Sequence, residues 1–116
     1  MNQQQQLTAR QKVISSMSHL ADELFQSSQA REYDAVLRET VDYFLRVGAQ
    51  FHFHKHDIKQ KIGVCKRFIE VNPTSASVPD HAALIAEYEA EVGMINDLLE
   101  KLSTYVVRLG TNPPIH

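Results

Sequence analysis

Between Ile85 and Leu109 the apolar residues alternate in steps of three and four: Ile85, Tyr88, Val92, Ile95, Leu99, Leu102, Val106 and Leu109. This heptad seam predicts a helix packed along another helix. A lone helix would leave the stripe in water, at a cost of roughly 25 cal/mol for each Å² of apolar surface. Leu84, Leu98 and Tyr105 make a partial second stripe, one position before the seam, and widen the face beyond what one partner helix covers. Ser77 and Asp80 read as an N-terminal capping arrangement with Pro79 in the first turn. Gly110 and Pro113-Pro114 read as the stop. The third helix is therefore predicted over about residues 80–109.

A longer seam precedes it: Tyr33, Leu37, Val41, Phe44, Gly48, Phe51, Lys55, Ile58, Ile62, Cys65 and Ile69. It predicts a helix over about residues 30–70, ended by Asn72-Pro73. Gly48 leaves room for close approach of a neighbour, at up to ~1 kcal/mol of helix propensity. Lys55 can lay its alkyl stem on the core and reach water with its ammonium. Upstream, Thr8 and Gln11 have the form of a capping box. Val13, Met17, Leu20 and Leu24 then form a stripe flanked by Ile14, Ala21 and Phe25. This gives a first helix over about residues 8–27, with Ser27-Ser28-Gln29 either a tight corner or a hydrophilic patch in a continuous helix; the corner is the expectation taken, because serine competes for backbone bonds.

The fold class expected is all-α: an elongated helical hairpin or three-helix bundle with coiled-coil-like packing. Residues 1–7 form a flexible polar lead, 8–110 a single helical domain and 111–116 a tail. The second and third helices, joined by a short loop, should lie antiparallel. Charge favours that arrangement. Residues 55–67 carry Lys55, Lys59, Lys61, Lys66 and Arg67 against Asp57, whereas residues 80–100 carry Asp80, Glu87, Glu89, Glu91, Asp97 and Glu100 with no Lys or Arg. Pairing across the hairpin would set its register. The first helix is too short to cover the long rod, so another chain is expected to supply missing helices, by hetero- or homo-oligomerisation. The residues expected at such contacts are Leu84, Ile85, Tyr88, Val92, Ile95, Leu98, Leu99 and Leu102 on the third helix, and Phe44, Phe51, Ile58 and Ile62 on the second.

Bulk properties narrow the function. The chain has 116 residues, a formal charge of −2 and 43% hydrophobic residues. A real core is possible, and a dedicated nucleic-acid binder, which needs a basic surface, is not expected. The single Cys65 excludes an internal disulfide and favours a reducing compartment; at a seam position it reads as a small core hydrophobe. Met1 to Gln6 lacks the pattern of a signal peptide, and no stretch has the length and apolarity of a transmembrane helix. An intracellular protein without a membrane anchor is expected.

Only one cluster offers chemistry. His52, His54 and His56 lie close together, and His52 and His56 share a helical face at the spacing of two zinc ligands. A third and fourth ligand have no local signature, so we read this as a solvated face. Phe44, Phe51, Phe53 and Phe68 read as packing residues. No glycine-rich phosphate loop and no Glu-x-x-His pair occurs. The expectation is a non-enzymatic protein with no cofactor.

The stretches Thr40-Val41-Asp42-Tyr43-Phe44-Leu45, Gln50-Phe51-His52-Phe53-His54-Lys55, Ala83-Leu84-Ile85-Ala86-Glu87-Tyr88-Glu89-Ala90-Glu91 and Asp97-Leu98-Leu99-Glu100-Lys101-Leu102 resemble the Mediator subunit 28 family over about residues 36–109. The loop at 72–79 and the histidine cluster depart from it. The resemblance implies an architectural subunit in the head of the transcriptional Mediator complex. Such a subunit assembles with other helical subunits in the nucleus and bridges partners that contact the RNA polymerase II machinery. From the residues alone, the alternative is a small helical chaperone or adaptor, in the cytoplasm, that holds a partner's amphipathic helix.

Overall fold

The computed structural model describes residues 6–29 and 34–111. Among these residues the chain forms three helices and no strand: α1 (Ala9–Gln29), α2 (Asp34–Val71) and α3 (Val78–Thr111). The glutamine lead up to Gln5, Tyr33 and Pro113-Pro114 lie outside the described residues. The all-α architecture follows from the three periodic segments, and among the described residues no helix is long and apolar enough to cross a membrane.

The helix ends follow local chemistry. At the start of α1 the amide of Gln11 donates to Thr8 Oγ1 at 3.1 Å, and the amide of Thr8 donates to Gln11 Oε1 at 3.1 Å, so the capping box is complete. The corner expected at Ser27-Ser28-Gln29 is absent, since α1 runs through Gln29. Ser28 is 2% exposed, and its hydroxyl lies 2.6 Å from that of Thr40. Thr40 donates to the carbonyl of Val36, so it accepts from Ser28. A hydroxyl satisfied by a neighbouring helix no longer competes with its own backbone, which is why the helix continues.

α2 closes where expected. The amide of Asn72 donates to the carbonyl of Phe68 at 2.8 Å, and its side-chain amide donates to the same oxygen at 3.1 Å. In the turn the Ser75 hydroxyl receives the amide of Ser77 at 3.2 Å and pairs with the Ser77 hydroxyl at 3.1 Å. Ser77 thus meets Ser75 instead of capping Asp80. The rings of Phe68 and His81 stack at 4.0 Å across the turn. The stop expected at Gly110 is also corrected. No described glycine has a positive φ, and α3 continues to Thr111.

α2 and α3 form the antiparallel hairpin, and α1 lies more against α3 than against α2. The Cα radius of gyration is 18.7 Å, against about 13 Å for a compact chain of this length. The molecule extends 68 × 35 × 16 Å. At 1.5 Å per residue α1 spans roughly 30 Å beside roughly 57 Å of α2, so it covers about half of the hairpin.

The core is centred one residue away from two of the predicted stripes. In α1 the inward line is Ile14, Ala21 and Phe25, at 2%, 0% and 5% exposure. Val13 and Leu20 face solvent, and Met17 and Leu24 are half-buried. In α3 Ile95, Leu98, Leu102 and Leu109 are buried, whereas Ile85, Val92, Leu99 and Val106 are half-buried. Both apolar arcs are broad, and neighbouring residues differ by about 100° around the helix, so periodicity alone does not select the centre. In α2 Thr40 and Val47 are buried with Phe44, while Val41 and Gly48 are only half-buried. Gly48 does not serve a close approach, because a Cβ there would meet nothing within 4 Å. Phe25 and Tyr105 stack at 4.0 Å and Phe44 lies 6.0 Å from Tyr105, which makes an aromatic junction of all three helices. Phe53, expected to pack, is 79% exposed.

Candidate functional site

Glu91 falls three residues after Tyr88 and four before Ile95, on the inward line of α3. Its exposure is 1%. An ionised carboxylate in that position must be paired or hydrogen-bonded. Arg10, in the first turns of α1, donates through Nε to both carboxylate oxygens at 3.1 and 3.2 Å. His54 of α2 places Nε2 2.9 Å from Oε2, so the tautomer that donates to the carboxylate carries its proton on Nε2. One side chain thus joins three helices. The Arg10 guanidinium also lies 5.5 Å from the centre of the Tyr88 ring. Its hydrogen bond to Glu91 holds it above the usual arginine range. Beside it Gln11, buried within α1, donates to the carbonyl of Glu87 at 3.4 Å.

A second polar group fixes the other end of α1. Tyr105 donates to Asp22 Oδ1 at 2.6 Å. Lys101 donates to the Ser18 hydroxyl at 2.6 Å and lies 3.0 Å from Asp22 Oδ1. The hydrogen bond from Tyr105, followed by that from Lys101, holds Asp22 below the usual carboxylate range. The carboxylate in turn pushes the Tyr105 hydroxyl up to about 12. These contacts account for the rotation of α1: Ser18 and Asp22 must meet α3, which carries Ile14, Ala21 and Phe25 inward with them. No buried side-chain nitrogen or oxygen among the described residues lacks a partner.

Next to the Glu91 group an open groove of about 310 Å³ runs between α1 and α2. Val13, Ile14 and Phe51 supply apolar walls, and Arg10, Gln50 and His54 supply polar ones. Such a lining accepts an apolar side chain whose neighbours carry hydrogen-bond acceptors.

The histidines separate in the fold. His54 belongs to the Glu91 group, while His56 is exposed, with Nε2 3.3 Å from Nε2 of Gln60. His52 is exposed. No group of three or more His, Cys, Asp or Glu among the described residues is placed to hold a metal ion. Cys65 is buried as a free thiol. Of the residues expected at intermolecular contacts, Phe44, Ile58, Ile62, Ile95, Leu98 and Leu102 lie in the chain's own core. Ile85, Tyr88, Val92, Leu99 and Phe51 are half-buried and Leu84 is 39% exposed. The predicted charge register is mostly unmet: among the described residues, only Lys66 of the α2 cations reaches an α3 carboxylate through a lysine or arginine nitrogen, Glu89 at 3.8 Å.

In the sequence Glu91 is one of the acidic residues of 80–100 expected to pair across the hairpin, and nothing there marks Arg10. The available signal was position: an acidic residue flanked at three- and four-residue steps by Tyr88 and Ile95, in line with Leu98. Compared with known proteins, the chain matches no family model, no curated protein and no solved structure.

Proposed function

We propose that this chain is a non-enzymatic helical subunit of a multiprotein assembly, working as a rod on which partner helices dock. The observation that carries this reading is the incomplete third row of the bundle. The first turns of α1 meet α3 at Glu91, beside His54 of α2. From there to the turn the hairpin is two helices thick among the described residues. Val64 and Val71 are each 69% exposed along this part, and Leu84 is 39% exposed. Apolar surface left open on an elongated hairpin marks an interaction site.

The narrower reading is a nuclear subunit of the Mediator type, acting in RNA polymerase II transcription. It is supported by the resemblance of residues 36–109 and by the order of short helix, long helix, loop and long helix. Affinity purification of the tagged full chain from its own cells, followed by mass spectrometry, tests both levels. Recovery of several stoichiometric helical subunits supports the assembly reading, and recovery of Mediator subunits supports the narrower one. A single client bound through an amphipathic helix would favour an adaptor or chaperone. Recovery of the chain alone refutes all three.

A further inference from the structure

On the side turned from α1, the hairpin presents two rows with a strict seven-residue spacing. Val41, Gly48, Lys55, Ile62 and Ile69 run along α2, and Ile85, Val92, Leu99 and Val106 along α3. A seven-residue step drifts by ~20° around a straight helix, so the α2 row turns by ~80° and the α3 row by ~60° over their lengths, and each keeps within one broad side. The side chains that meet α1 lie elsewhere, at Thr40 and Tyr43 of α2 and at Tyr88, Glu91, Lys101, Tyr105 and Arg108 of α3. Within the rows Ile62 is buried and the other apolar side chains are half-buried. Between the rows lies an open groove of about 290 Å³, lined by Ile62 and Val92 with Lys59, Lys66 and Glu89.

The charges on this hairpin are separated and mostly unused. Lys55, Lys59 and Arg67 have no carboxylate oxygen within 4.0 Å among the described residues, and the Lys66–Glu89 pair at 3.8 Å is largely exposed. On α3, Glu87, Asp97 and Glu100 likewise have no cationic nitrogen within that distance. The chain therefore carries a basic stretch of α2 beside an acidic stretch of α3, and Lys59, Lys66 and Glu89 of these line the groove between the half-buried rows.

We propose that this face is a symmetric dimer interface whose occupant is a second copy of the chain. A two-fold axis parallel to the hairpin lays α2 of one copy over α3 of the other, antiparallel, and repeats the same contact in reverse. Rotation about that axis preserves height along the rod. The basic stretch of α2 already lies level with the acidic stretch of α3, as the Lys66–Glu89 and Phe68–His81 contacts show. Each basic α2 therefore meets a second acidic α3, and the half-buried rows close over each other. The α2 row extends ~42 Å and the α3 row ~32 Å along a face ~20 Å wide, so their overlap offers ~640 Å² per copy, or ~1,300 Å² in all, within the lower part of the range of specific stable interfaces. This goes beyond the assembly reading and uses a different side of the hairpin from the α1–α2 groove.

Light scattering and sedimentation of the full chain over a wide concentration range test the proposal. The expected result is a dimer at micromolar concentration that loosens as salt rises. The double variants K59E/K66E and E89K/E100K should each keep wild-type helicity by circular dichroism. Each should weaken self-association by about a hundredfold, because the substitutions act twice across the two-fold axis. Mixing the two variants should restore a mixed dimer. Zero-length crosslinking of isotope-mixed wild type adds a test without substitution: links between Lys59 and α3 carboxylates of a differently labelled copy are expected. A wild type that stays monomeric, double variants that dimerise as tightly as wild type, mixed variants that stay apart, or no between-copy link on this face each overturn the proposal. A monomeric wild type would leave the assembly reading standing, since co-purification decides that one separately.

Discussion

Replacing Arg10 by methionine should destabilise the fold, and replacing Glu91 by methionine in the same chain should recover most of the loss. Glu91 is 1% exposed and accepts from Arg10 at 3.1 and 3.2 Å and from His54 at 2.9 Å. Burial of such a carboxylate costs several kcal/mol of hydration, and removing one partner of a buried pair typically costs about 3–5 kcal/mol. The Arg10 side chain is 46% exposed, so water can enter where the guanidinium was, and the first turn of α1 can fray to admit more. The expected loss for Arg10→Met is therefore about 2 kcal/mol, below the usual range. In the double variant no uncompensated charge remains, and two apolar side chains fill the same space. Its stability should lie within about 1 kcal/mol of wild type. Urea unfolding followed by helical circular dichroism measures both, together with the Glu91→Met single variant that completes the cycle, at one fixed protein concentration, because self-association would shift the midpoint. Additive losses, with a coupling below about 0.5 kcal/mol, would refute the view that Glu91 is a charge held in place by Arg10.

Burial, titration and backbone freedom each set further outcomes. Phe44→Ala should cost about 3–5 kcal/mol in the same urea assay. Phe53→Ser, at a site 79% exposed, should stay within about 0.5 kcal/mol of wild type; equal losses would contradict the core assignment. The Tyr105 hydroxyl is raised to about 12 in the fold. Its stabilisation is complete below the ordinary tyrosine value near 10 and is lost as pH rises through 12. Tyr105→Phe should abolish that alkaline loss, and an unchanged stability profile in the variant would rule the Asp22 contact out. For Asp22, held low, the sign is opposite: its contribution is present above the ordinary carboxylate value near 3.9 and disappears as pH falls below it. Gly93→Ala should stabilise by about 0.5–1 kcal/mol, because a Cβ there meets nothing within 4 Å and helix propensity rises. A destabilised alanine variant would show that another contact uses that surface.

Much of the fold is legible before any coordinate is known. The capping box of Thr8 and Gln11, the stop at Asn72-Pro73 and the three periodic segments each arise from bonds or sterics within a few residues. The misplaced features have a different origin. The run Ser27-Ser28-Gln29 looks like a corner until Thr40 of another helix receives the Ser28 hydroxyl. Gly110 looks like a stop, but with no positive φ it is an ordinary helical residue. Phe53 looks like core because aromatic residues usually are, and its position on the outer side of α2 leaves it in water.

The candidate site was least visible, since each of its parts is ordinary alone. Arg10, His54 and Glu91 are a surface cation, a member of a histidine cluster and one acid among several. They become a joined group only when three helices converge. The sequence determined that the chain is helical, that two long helices form a hairpin, and that the rod outruns α1, because periodicity, proline and chain length act locally. Tertiary structure alone decided which line of each broad apolar arc turns inward and which charges are enclosed. A rotation of about 100° changes little in the local hydrophobic pattern, whereas it decides whether Ser18 and Asp22 reach α3 and whether Glu91 finds its partners.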